Sequence, residues 1–104
     1  MQFIIFHGSF GSAKENWFPW LAKELKPYGT VFAPDFPIED LAAMNEAGEG
    51  NFVNKKQNLK SWMDHFQSEV LPKLDLDEPI TVIGHSLAPV FILHLVERFN
   101  LTID

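Results

Sequence analysis

Five consecutive residues, Gly84-His85-Ser86-Leu87-Ala88, carry the most chemistry in this sequence. They follow the apolar run Ile80-Thr81-Val82-Ile83 and lead directly into a helical pattern that extends to about Asn100. A serine at a tight strand-to-helix turn is the arrangement of a nucleophile elbow. Small residues two before and two after it let the turn form, and the hydroxyl stands above the sheet edge. The pattern here is G-x-S-x-A, in which Ala88 adds one methyl where glycine is usual. The backbone N–H of Leu87, at the start of the helix, would point to where the negative oxygen of a tetrahedral intermediate develops. Serine is also a favoured helix cap. The buried strand before Ser86 and the apolar helix after it favour the elbow.

A second loop, His7-Gly8-Ser9-Phe10-Gly11, closes the apolar run Phe3-Ile4-Ile5-Phe6. In a sheet ordered second, first, third, the first and third strands end side by side, so this loop would face Ser86. The second oxyanion donor is then the N–H of Ser9, with Phe10 as the weaker choice. The loop contains neither G-x-G-x-x-G nor G-x-x-x-x-G-K-[ST], so it offers no dinucleotide or P-loop phosphate cradle. A flavodoxin-like regulatory domain would leave the elbow unexplained.

A serine nucleophile needs a base within about 3 Å. His94 lies eight residues past Ser86 on the same helix, roughly 12 Å along its axis, and fails on distance. His85 adjoins Ser86 but should point to the other side of the turn, and His65 belongs to the solvent edge of a helix. His7 could approach across the loops, although a histidine before glycine at a strand end is more often structural. The four histidines show no metal-ligand spacing. Asp35, after the second strand, reads as a loop cap.

The elements that position these residues follow from apolar patterning. The unbroken apolar run at 3–6 is what a strand covered on both faces requires, Thr30-Val31-Phe32-Ala33 reads as a second short strand, and Ile80-Thr81-Val82-Ile83 as a third buried one. Trp17, Trp20, Leu21 and Leu25 have the spacing of a helix with one buried face. A cap at Ser12 would put Pro19 inside that helix, at a cost of about 3 kcal/mol, whereas a cap at Asn16 leaves it in the first turn. The helix is therefore read as 16–26, ended by Pro27 and Gly29. Leu59, Trp62, Met63, Phe66 and Val70 mark a second helix ending near Pro72, with Lys55, Lys56, Lys60 and Asp64 on its outer side. Residues 34–51 carry little periodicity beyond a possible helical turn at 41–44. Strands alternating with helices imply right-handed crossovers and an α/β three-layer sandwich with a parallel sheet.

Composition narrows the partners. The chain has 104 residues, room for one domain, and 46% hydrophobic with 21% charged residues is ordinary for a globular protein. A net charge of −6 argues against nucleic acid or an anionic membrane surface. The absence of cysteine removes disulfides and a thiolate nucleophile. The opening residues lack a basic start and a long apolar core, so they read as a strand of a cytoplasmic protein. Ten Phe and three Trp are many for so small a core. Leu87, Val90, Phe91, Ile92, Leu93, Leu95, Val96 and Phe99 leave the last helix almost no polar side. A helix apolar all round is normally buried on most of its surface. Self-association, or chain beyond Asp104, is expected to cover it.

Residues 3–11, the segment Asn16-Trp17-Phe18-Pro19-Trp20-Leu21 and Ile83-Gly84-His85-Ser86-Leu87, taken in order, resemble the small α/β-hydrolases of the retinoblastoma-binding serine hydrolase type. The resemblance spans essentially the whole chain. It implies a partial α/β-hydrolase fold with strand order 2-1-3 and an esterase-like activity on a small ester, through a Ser…Asp…His triad without cofactor. Members of that family are nearly twice as long and carry acid and base beyond the elbow. After Ser86 this chain has only His94 and Asp104 for those roles. Residues 1–104 would then be the amino-terminal portion of one hydrolase domain, with nucleophile and oxyanion hole but no base, inactive or nearly so alone. The alternative is a shortened, non-catalytic fold that binds a partner or dimerises through its apolar flank.

Overall fold

A computed structural model describes residues 1–8, 11–38 and 58–103. Three strands, β1 (Gln2–Phe6), β2 (Thr30–Phe32) and β3 (Ile80–Gly84), form a parallel sheet in the order β2-β1-β3. Gln2 pairs with Thr30 on one side and with Ile80 on the other, and the β1–β3 register runs on to Phe6 opposite Gly84. The expected α/β class, parallel pairing and strand order are all found.

The central strand is buried at every residue. Successive side chains of a strand point to opposite faces. Ile4 and Phe6 join the main core on one face with Trp62, Met63, Phe66, Phe91 and Leu95. Phe3 and Ile5 are buried outside that cluster, as is Phe18 of α1, the helix that packs on β1 and β2. The helices that build the main core are α2 (Leu59–His65) and α3 (Ala88–Phe99).

Helix α1 spans Phe18–Leu25, with Trp17 rather than Asn16 at the cap position and a 3₁₀ turn, Lys26–Tyr28, after it. Pro19 falls in the first turn as the sequence requires. Asn16 instead has φ 54°, a left-handed residue in the turns that precede the helix. The expected buried face is corrected as well. Trp20 is 64% exposed and Trp17 40%, while Phe18 is the buried residue.

Helix α2 is capped by Asn58, whose side chain accepts from the Ser61 N–H at 2.8 Å. It continues through a π-helical segment, Phe66–Val70, and a 3₁₀ turn, Leu71–Lys73. Trp62, Met63, Phe66 and Val70 are buried as the spacing predicts, but Leu59 is exposed. On the outer face the Lys60 ammonium donates to Asp64 at 2.7 Å and holds that carboxyl below its usual range. Lys55, Lys56 and the turn at 41–44 lie outside the described residues.

Helix α3 ends where Asn100 takes a left-handed conformation, and Leu101 then packs into the main core. Ile103 forms a parallel bridge to Ile80 on the outer edge of β3. Of the apolar residues along α3, Ala88, Phe91 and Leu95 are buried, whereas Val90 and Leu93 are exposed. Burial on most of its surface is therefore not found among the described residues. The strands and the other helices among the described residues contact one side of it.

Candidate active site

β1 and β3 end side by side, and the backbone carries their pairing into the turn: the His85 N–H donates to the Phe6 carbonyl at 3.2 Å. At Ser86 the chain swings to φ 63°. For a residue with a side chain this left-handed conformation costs about 1–2 kcal/mol. Leu87, at φ −81°, opens α3, and Ala88 N–H donates to the His85 carbonyl at 3.1 Å, closing the turn.

Two glycines make room for this turn. A Cβ on Gly84 would stand 2.9 Å from Ile92 Cδ1 and 3.3 Å from both Ala88 Cβ and Pro89 Cδ. The helix thus sits directly on the strand, and the methyl of Ala88 is accommodated because residue 84 has none. A Cβ on Gly8 would lie 2.7 Å from Ser86 Cβ and 3.2 Å from the His85 carbonyl oxygen. The loop after β1 therefore touches the serine, as the strand order requires. Ser9 and Phe10 lie outside the described residues.

Ser86 and Leu87 are exposed. Among the described residues the Leu87 N–H makes no backbone hydrogen bond, and no histidine or carboxylate bonds to the Ser86 hydroxyl. The turn thus offers a hydroxyl and an unsatisfied donor on neighbouring residues.

His7 is buried and fixed by two bonds. Its Nε2 accepts from the Phe36 N–H at 2.8 Å, and its Nδ1 lies 2.8 Å from the Gly8 carbonyl. A carbonyl only accepts, so the ring that satisfies both partners carries its proton on Nδ1. Both nitrogens are occupied, and the ring stands edge-on to Phe36 and Trp62. This geometry suits a structural pin rather than a base. The His85 ring lies against Trp17 and Phe18, its Nδ1 is 3.4 Å from where a Cβ on Gly8 would stand, and it makes no hydrogen bond to the Ser86 hydroxyl. His65 packs on Phe36, and His94 lies farther along α3. Asp35 caps a loop as expected, accepting from the Ala13 N–H at 2.6 Å. Asp104 lies outside the described residues.

Sequence reasoning did not identify a cavity of about 240 Å³ beside Leu87, between the first turns of α2 and α3. Trp62 and Phe91 form its buried part, with Leu59, Leu87 and Val90 around it. Crossover helices begin at the carboxyl edge of a parallel sheet, so the start of α2 must come near Ser86. That topological signal was available in the sequence.

Among the described residues no group of three or more His, Asp or Glu side chains could hold a metal ion, and no helix is long and apolar enough to cross a membrane. Compared with known protein families, with curated proteins and with solved structures, the chain finds no match.

Proposed function

We propose that this chain is the amino-terminal, nucleophile-bearing portion of a single α/β-hydrolase domain, a cytoplasmic serine hydrolase that transfers the acyl group of a small ester. The observation that carries this reading is the left-handed φ of 63° at Ser86, between a parallel strand, buried at Ile80 and half-buried from Thr81 to Gly84, and the helix it feeds. A conformation that favours glycine is occupied by a residue with a reactive hydroxyl. Ser86 Oγ attacks the ester carbonyl carbon, the alcohol leaves with a proton, and water then cleaves the acyl-enzyme. The N–H groups of Leu87 and Ser9 hold the oxyanion. The base and the acid of the triad come from outside the described residues, and no cofactor takes part.

Ser86→Gly tests this reading. Relief of the left-handed strain outweighs the added flexibility of the unfolded chain, so stability should rise by about 0.5–1 kcal/mol. Reaction of residue 86 with a fluorophosphonate should disappear in the same variant. A lower urea midpoint would mean that the serine side chain holds the turn together, as a cap does.

One observation favours a second reading, a non-catalytic module that dimerises. Leu87, Val90 and Leu93 are 65%, 56% and 71% exposed along one helix. A monomer in sedimentation at high concentration would exclude that version.

A further inference from the structure

We propose that the cavity between α2 and α3 is an acyl-chain subsite, selecting esters of unbranched, uncharged acyl groups of medium length. The assignment rests on the hydrolase reading of Ser86. Three of the exposed large apolar side chains, Leu59, Leu87 and Val90, converge on this one hollow, with Trp62 and Phe91 buried beneath them. Isolated exposed apolar residues are ordinary, but several around one concavity mark a binding surface. Trp62 brings no unmet polar group, because its indole N–H donates to the Pro37 carbonyl at 2.7 Å.

Position ties the hollow to the chemistry. Leu87 presents its unbonded N–H at the turn and also lines the cavity, so a carbonyl held at the one has a substituent within reach of the other. Through both half-reactions the acyl group stays bonded to the serine, while the alcohol leaves and water replaces it. A hollow with a buried base suits the part that stays. An apolar cavity of about 150 Å³ holds benzene. The volume here, about 240 Å³, takes a longer hydrocarbon. The polar side chains at the cavity are His94 and Asn58, whose Oδ1 is bonded to the Ser61 N–H.

The test is a titration of the full chain with methyl octanoate, following the methyl resonances of Leu59, Leu87 and Val90 by NMR. Saturable shifts confined to these methyls are expected, with none from methyl acetate. Val90→Trp fills the hollow at an exposed position and should weaken binding by about tenfold or more, while Leu93→Ser, outside the cavity, leaves it unchanged. Thermal unfolding of both variants controls for folding. Ser86→Gly should bind as the natural chain does, so the result does not depend on the nucleophile. Binding without fluorophosphonate reaction at Ser86 would overturn the hydrolase reading and with it the acyl assignment, leaving only an apolar ligand site. Reaction at Ser86 without methyl octanoate binding would overturn the subsite alone. Shifts that do not saturate, that persist in Val90→Trp, or that arise with octyl acetate but not methyl octanoate would also overturn it.

Discussion

Phe6→Ala is expected to remove about 3–5 kcal/mol of stability, the range for deleting a buried aromatic ring. Phe6 has no exposed surface and touches three aromatic neighbours, with ring centroids 5.6 Å from Phe36, 5.9 Å from Phe91 and 6.4 Å from Phe66. These come from the segment after β2, from α3 and from the continuation of α2. One ring therefore ties together every layer on that face of the sheet. Phe6 also pairs with Gly84, so its backbone sets the entry to the serine turn. Domains of this size have total stabilities of roughly 5–15 kcal/mol, and the loss should bring the variant close to its unfolding threshold. Urea titration followed by circular dichroism measures the change. Phe6→Leu, which keeps most of the volume, should lie between the two. A change of less than about 1 kcal/mol for the alanine variant would mean that the cluster repacks around the hole.

His7→Ala is expected to cost about 3 kcal/mol for a different reason. Truncation leaves the buried N–H of Phe36 without its acceptor, a penalty of about 1–3 kcal/mol, and opens a cavity beside Trp62. Because Nε2 is the accepting atom, glutamine is the informative contrast: its side-chain oxygen can reach the same N–H and should recover a substantial part of the loss. Fluorophosphonate reaction at Ser86 should persist in His7→Gln. A glutamine variant that folds normally yet loses all reaction would identify His7 as the base and contradict its role as a pin.

The strands and their order were legible because short, mostly apolar runs closed by glycine or proline have few other uses in a short globular chain. Gly84, Ser86 and the following helix were legible because a local turn positions them. The buried face of α1 is ambiguous in the sequence for a specific reason. Trp17, Trp20, Leu21 and Leu25 fit a helical stripe, but so do Phe18, Leu21, Ala22 and Leu25. Side-chain size favoured the tryptophans, whereas the start of the helix at Phe18 leaves Trp17 in the cap position. Leu59 has helical spacing to the buried Trp62 and Met63, yet it is exposed. Its exposure follows from a long-range fact, the hollow it shares with α3. The bonds of His7 to Phe36 and Gly8 were likewise beyond local reading, since one partner is 29 residues away.

The rate at which a fluorophosphonate modifies the purified chain, followed from pH 6 to 9 with peptide mass spectrometry to locate the adduct, bears most directly on Ser86 as a nucleophile awaiting its base. Adduct confined to the peptide that contains Ser86 is expected, forming slowly and accelerating with hydroxide. Without a positioned histidine, the rate should show no plateau in the range where imidazole titrates. Rapid reaction at Ser86 that levels off above about pH 7 would show a base already in place within the chain, and adduct on another serine would show that the turn does not present the nucleophile.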